Sequence, residues 1–316
     1  MRVLVAGATG VIGRRLVSLL TATGHEVVAL SRTAPPVTGA AGAGVTVVAA
    51  DALDRAALGA AVRAAAPDAV VHLLTAIPAD IDPRRMERDF ALTNRLRTEG
   101  TRNLLDAARE AGATRVITQG LAYAYDPAGA GPGDTGPAGE DAPFWRTPPR
   151  QWASSLEALR TLERLTGEAG GLVLRFGHLY GPGTAFARDG AFVRSIRARA
   201  MPVLGGGTAT FSFTHTHDAA TSIVSALPRP VTGALNIVDD HPARVGEWLP
   251  ALARILHAPE PRRLPAALAR PVVGSWGVAF LTRLRGADNA RARLELNWRP
   301  RHLSWRDGFT EELGVR

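Results

Sequence analysis

Three side-chain types in this chain can move protons near a reacting carbon: phenol, imidazole and primary amide. Tyr123 and Tyr125 follow the run Arg115-Val-Ile-Thr-Gln119, which puts two phenols and an amide at the exit of one strand. His178 lies in Gly177-His178-Leu-Tyr180-Gly-Pro-Gly183, just after Gly171-Leu-Val-Leu-Arg175-Phe. An unperturbed imidazole titrates near neutral pH. A different chemistry belongs to Val3-Leu-Val-Ala-Gly7-Ala-Thr-Gly10-Val-Ile-Gly13. There a short apolar strand turns on glycines into a helix. Such a turn presents unpaired N–H groups and the positive end of a helix dipole, a seat for a pyrophosphate. Gly7, Thr9, Gly10, Val11, Ile12 and Gly13 are expected to form it.

Other groups extend the same edge. Glu26-Val-Val-Ala-Leu30 reads as a second strand followed by Ser31-Arg32. No acid stands there to grip a ribose 2′-OH. A guanidinium holds a 2′-phosphate through two parallel hydrogen bonds, so NADP(H) is expected in preference to NAD(H). Val45-Thr-Val-Val-Ala-Ala is a third strand ending in Asp51-Ala52-Leu53-Asp54. Asp51 is placed to accept from an adenine amino group or to serve a turn, and Asp54 to cap the helix Arg55 to Ala65. Ala69-Val-Val-His-Leu-Leu74 is a fourth strand, leading into Thr75 and Ala76.

Strands and helices alternate, which predicts an α/β fold with right-handed crossovers and a parallel sheet. Ligands then bind beyond the carboxyl ends of the strands. Arg84 to Ala111 reads as one long helix closed by Gly112, and Trp152 to Glu168 as another. Between them, residues 126–150 are crowded with proline and glycine and read as a loop. Phe144 and Trp145 in that loop are expected either to close over a substrate or to anchor the loop to the core. Beyond residue 177 the alternation weakens. Residues 241–285 read as helical and proline-punctuated, and Asn289 to Leu296 as a further helix.

Composition narrows the function. The 316 residues, 46% hydrophobic, can build one large domain or a domain with a smaller lobe. Cysteine is absent, which removes disulfides and thiolate metal sites. His215 and His217 stand two apart with no third metal ligand in view, so no metal is expected. The net charge is +8, yet every basic residue is arginine and the arginines are interleaved with acids. That is not the basic tract with aromatics of a nucleic-acid binder. Met1 leads straight into the first strand, and Val272 to Leu281 is too short to span a bilayer. The expectation is a cytoplasmic protein that meets a small molecule, with no membrane or nucleic-acid partner.

These landmarks resemble the extended short-chain dehydrogenase/reductase superfamily, the NAD-dependent epimerases and dehydratases. The opening glycine turn, Val70-Val-His-Leu and Asn94 with Gly100-Thr-Arg-Asn-Leu-Leu-Asp-Ala-Ala carry the first half of the likeness. Leu174-Arg-Phe-Gly-His-Leu-Tyr-Gly-Pro-Gly, Phe213-Thr-His-Thr-His-Asp218-Ala-Ala and Leu296-Asn-Trp-Arg-Pro carry the second. The resemblance implies a Rossmann-type doubly wound parallel sheet with a smaller C-terminal substrate lobe. Residues 1–176 would bind NADP, and 177–316 would mainly bind substrate, with 207–240 partly returning to the sheet. It also implies a homodimer through the two long helices. Cofactor contacts would come from Ser31, Arg32, Asp51, Ala52, Leu53, Leu74, Thr75, Ala76 and Gln119 besides the glycine turn. Substrate contacts would come from Gln119, Trp152, His178 and Tyr180.

The family's catalytic pair does not carry over. Its general acid is a tyrosine followed four residues later by a lysine, and this chain has no lysine. Trp152 and Leu156 occupy those positions, and Gln119-Gly120 stands where a serine or threonine is expected. The chain is therefore identified as an atypical member. An oxidoreductase or epimerase-like enzyme is expected, passing hydride between NADP(H) and a carbonyl or conjugated double bond of a small, fairly apolar carbonyl or hydroxyl metabolite, with Tyr123, Tyr125 or His178 supplying the proton. The alternatives are a non-catalytic NADP-binding sensor or scaffold, and a non-redox dehydratase, isomerase or cyclase.

Overall fold

The computed structural model describes residues 1–32, 44–129, 134 and 136–314. Gly131, Pro132 and Gly133 of the expected loop lie outside them. Apolar runs form the centre. β1 (Arg2–Ala6), β2 (Glu26–Ser31), β3 (Val45–Ala49), β4 (Ala69–His72), β5 (Arg115–Leu121) and β6 (Leu172–Phe176) join a last strand, Gly233–Ile237. Across the sheet the order is last strand, β6, β5, β4, β1, β2, β3, and every pairing is parallel. The crossing from β1 to β4 is the switch point at which such sheets bind ligands.

Strand geometry sends alternate side chains to opposite faces. Val3 and Val5 meet α1 (Val11–Ala22) through Leu16, Val17 and Leu20, and meet helix Thr216–Ala226 through Ala219 and Ile223. Leu4 and Ala6 face the other way, onto Leu58 and Val62 of α2 (Arg55–Ala65) and Leu104 of helix Thr101–Glu110. A third, aromatic-rich cluster gathers Trp145, Trp152, Phe186, Phe211, Phe213, Trp248, Trp276 and Phe309 beside the sheet. No helix of the described residues is long and apolar enough to cross a membrane.

The expected single helix over 84–111 is broken. It comprises Met86–Asp89, Ala91–Arg95, a π-helical turn Leu96–Gly100 and Thr101–Glu110. A π turn inserts one residue per turn and so shifts which side chains face inward. Here Leu96 and Arg97 are both buried. Helix Arg150–Glu168 is continuous. Its exposed positions are Arg150, Ala153, Ser154, Glu157, Arg164, Gly167 and Glu168, mostly polar or small. The stretch 241–285 is less helical than expected: short strands Ala243–Arg244 and Arg263–Leu264 flank helix Val245–Ile255. Helix Ala266–Thr282 is kinked at Gly274.

Candidate active site

The glycine turn closes tightly between β1 and β4. Gly7 has φ +93, and a Cβ there would sit 2.9 Å from the Leu73 carbonyl. At Gly13 a Cβ would lie 2.1 Å from the Gly7 oxygen, so any side chain would push the helix off the turn. The Arg14 N–H makes the first helical bond, to the Gly10 oxygen. The N–H groups of Val11, Ile12 and Gly13 therefore have no helical acceptor and face outward from the helix end. A pyrophosphate fits this cradle.

The rest of the edge is arranged around it. Thr9, Gly10, Arg32, Asp51 and Thr75 are exposed along the rim, with Val11, Ser31, Leu53, Leu74 and Ala76 half-buried behind them. Ala52 is buried, and its carbonyl accepts from Asn103 Nδ2 at 2.9 Å. Asp51 closes a turn, its Oδ1 accepting from the Leu53 N–H at 2.9 Å. Asp54 caps α2 by accepting from the N–H groups of Ala56 and Ala57. Ala76 N–H donates to Thr93 Oγ1 at 3.0 Å, which fixes the exit of β4. His72 fixes it further: Nδ1 accepts from Leu74 N–H, so Nε2 carries the proton and faces Thr101 Oγ1 at 2.9 Å. Burial pushes its pKa down to about 4.

Beyond β5 and β6 an aromatic stack appears. The His178 ring lies between Tyr123, at 4.4 Å and 22°, and Phe211, at 3.8 Å and 9°. Phe280 meets His178 edge-on at 5.4 Å. Tyr123, Phe192 and Phe280 keep partly exposed edges, while His178 and Phe211 are buried. His178 Nδ1 points at the Ser212 carbonyl at 3.2 Å, so that nitrogen holds the ring proton. Its Nε2 is buried with no partner among the described residues. Burial pushes the pKa down to about 3, only slightly opposed by the Ser212 carbonyl. The expectation of a histidine titrating near neutral pH is thus corrected: His178 is a neutral, flat ring. Burial also raises the Tyr123 pKa, partly countered by the Arg97 charge. No hydrogen bond to its hydroxyl is found among the described residues.

Several expected site residues are occupied elsewhere. The Tyr125 hydroxyl donates to Asn236 Oδ1 at 2.6 Å and accepts from Arg175 Nη1 at 2.7 Å. Burial pushes it up to about 12. Arg175 in turn forks onto Glu163, so Tyr125 belongs to a structural network and is withdrawn as a proton donor. Tyr180 is fully buried against Phe213 and Phe309, with His215 edge-on at 5.0 Å, too deep to meet substrate. Trp152 stacks on Trp276 at 4.5 Å and meets Trp145 edge-on. Its 2% exposure makes it core, not a substrate contact. Trp145, wholly buried, anchors the 126–150 loop to this trio. Gln119 is half-buried in β5, paired in register with Leu174 of β6.

Contrary to expectation, further metal-type ligands do stand beside His215. His215, Asp218 and His302 bring ligand atoms within 4.8 Å of one another, without His217. Each is already engaged: His215 Nε2 with Glu312, His302 Nδ1 with Asp218, and His302 Nε2 with Glu311. These bonds tie the C-terminal helix Trp305–Leu313 to the start of helix Thr216–Ala226.

Sequence reasoning missed two residues here, Phe211 and Arg97. Arg97 is 3% exposed on the π turn. Its signal was a charge on the inward face of a helical pattern, between Thr93 and Thr101.

The fold and the glycine seat define a class. Residues 3–238 match the model of the NAD dependent epimerase/dehydratase family, and the chain belongs to that family. It is 48% identical over 320 residues to a Streptomyces protein described as 3-diazoavenalumate denitrifying reductase, covering 99% of this chain and 100% of that one. It is 27% identical over 328 residues to the ceramide reductase of Caulobacter vibrioides, covering 99% and 90%. Among solved structures, MoeE5 in complex with UDP-glucuronic acid and NAD superposes with TM-score 0.73 at 26% identity, covering 99% and 98%. The human epimerase family protein SDR39U1 with NADPH shares the fold, with TM-score 0.72 at 24% identity over 99% of each chain. The chain is an NAD(P)-dependent enzyme of the oxidoreductase or epimerase type.

Proposed function

We propose that this protein is an NADP(H)-dependent reductase that delivers hydride to a planar, electron-poor conjugated acid bearing a diazo group, with loss of dinitrogen. The observation that carries this reading is the Tyr123–His178–Phe211 stack in a chain with no lysine. Flat apolar faces suit a conjugated ring, and aromatic rings prefer offset stacking or edge contact. A neutral imidazole and a phenol kept protonated by burial are poor proton sources. The chemistry must therefore draw little on the enzyme for protons. When bound, reduced nicotinamide supplies one hydride; hydride plus an arenediazonium gives arene plus dinitrogen, so atoms and charge balance with no proton drawn from the enzyme.

The protein's own residues then bind, orient and exclude water. The N–H groups at Val11 to Gly13 seat the pyrophosphate. Arg32, exposed at the end of β2, is offered to a 2′-phosphate. Tyr123, which keeps an exposed edge, meets the acceptor with its ring and orients it by a hydrogen bond from its hydroxyl, while the buried His178 and Phe211 rings stack behind it and hold it in place. The substrate class is supported by the name of the Streptomyces relative, whose substrate carries a diazo group. The test mixes NADPH-loaded protein with 3-diazonium-4-hydroxybenzoate and measures NADPH oxidised and dinitrogen released. One of each per turnover is expected. NADPH oxidation with ketones or aldehydes but not with the diazo acid would overturn the reading.

A further inference from the structure

Three of the chain's buried arginines are partnered by the protein. Arg115 gives its two terminal nitrogens to the carbonyls of Val231 and Ala226, and only its Nε has no partner among the described residues. Arg175 forks onto Glu163 and also meets Tyr125 and the Glu140 carbonyl. Arg285, whose side chain is nearly as buried, pairs with Asp134. Arg97 is the exception. It is 3% exposed, and among the described residues it makes no hydrogen bond or ion pair.

Its neighbours do not supply a counter-charge. The titratable group close enough to act on Arg97 is the Tyr123 phenol, which burial keeps neutral, not a carboxylate. Arg97 acts in turn on His72, which is neutral and hydrogen-bonded to Leu74 and Thr101. These neighbours place the guanidinium between the exits of β4 and β5, beside the aromatic stack and beyond the glycine seat. The π turn Leu96–Gly100 is what turns it inward, and such turns recur at functional sites. A guanidinium this deep, with no protein partner for its five donors and only a sliver of solvent contact, is costly unless an anion completes it. A planar carboxylate fits that fork with two parallel hydrogen bonds.

Building on the proposed reductase reading, we infer that Arg97 is the anchor for the carboxylate of the substrate, setting a preference for planar conjugated acids over their neutral esters. With the carboxylate held at Arg97, the conjugated body lies against the partly exposed ring of Tyr123. The residue reads the substrate's anionic end and does not touch the atoms that react.

The experiment is a calorimetric titration of NADPH-loaded protein with 4-hydroxycinnamate and with its methyl ester, so no turnover is needed. The wild type should bind the acid at least about tenfold more tightly than the ester. Arg97→Met should bring the two together while leaving ester and NADPH affinity within about twofold. Arg97→Lys should keep part of the preference, as a point charge does. Without ligand, Arg97→Met should melt no lower than wild type, because it removes an uncompensated charge. Equal binding of acid and ester by wild type, or no binding of the acid at millimolar concentration, would overturn the inference. So would a loss of NADPH affinity on Arg97→Met, which would give the residue to the cofactor. A lower melting temperature with the acid preference intact would show a structural arginine. If Arg97→Met does not fold, Arg97→Lys decides by the same comparison. Failure of diazo turnover leaves these binding results standing, so the two readings fail separately.

Discussion

A single ring shows how burial can override a residue's usual chemistry. His178 has the side chain most suited to proton transfer at neutral pH, but it is packed between Tyr123 and Phe211 and held neutral. Arg32 is the opposite case, an exposed guanidinium at the rim of the dinucleotide seat. Charge-assisted hydrogen bonds contribute about 1.5–3 kcal/mol, which is about 10- to 100-fold in affinity. Arg32→Ala should therefore weaken NADPH binding by about that factor and leave NADH binding nearly unchanged. Fluorescence titration with both dinucleotides measures it; equal losses for the two would remove Arg32 from phosphate recognition. At this scale the glycines were legible, because Gly7 and Gly13 are demanded by close backbone approach that no other residue permits. Tyr125 and Tyr180 were not, since sequence shows a phenol but not the Arg175 and Asn236 that occupy one hydroxyl, nor the core that encloses the other ring.

Elements were read well where the pattern had one cause. The central strands β1, β4 and β6 are largely apolar runs because helices cover both faces, whereas the edge strand β3 is mostly exposed. Strand-to-helix order then gave the topology up to β6. The 84–111 segment was misread because a π turn leaves the apolar periodicity almost intact while shifting it by one residue. That small shift is what buries Arg97 near Tyr123. The loop after β5 was recognised from its prolines and glycines, but its anchor was not. Trp145 meets Trp152 of the helix that follows it and Trp276 of helix Ala266–Thr282 far along the chain, and that long-range contact leaves no local trace.

The whole molecule has a pH signature that follows from two neutral histidines. Burial lowers His72 to about 4 and His178 to about 3, both below the unfolded value of about 6.5. The unfolded chain therefore binds up to two more protons in that window. Stability is fully present above about pH 6.5 and is lost as pH falls, by up to about 2.7 kcal/mol per pH unit between about 6 and 4. Urea midpoints at a series of pH values measure the slope. His178→Phe, which keeps a flat ring, should reduce it by up to about 1.4 kcal/mol per pH unit; an unchanged slope would mean His178 is not buried neutral. The same neutrality underlies the proposed reaction, in which the enzyme's groups hold and orient the substrate without donating a proton. Rapid mixing of NADPH-loaded protein with 3-diazonium-4-hydroxybenzoate, followed by the loss of NADPH absorbance, tests that claim most directly. The single-turnover rate should stay flat from about pH 6 to about pH 9, a range that spans the ordinary imidazole pKa. A rate that rises or falls through a midpoint inside that range, or bound NADPH that is never oxidised, would contradict it.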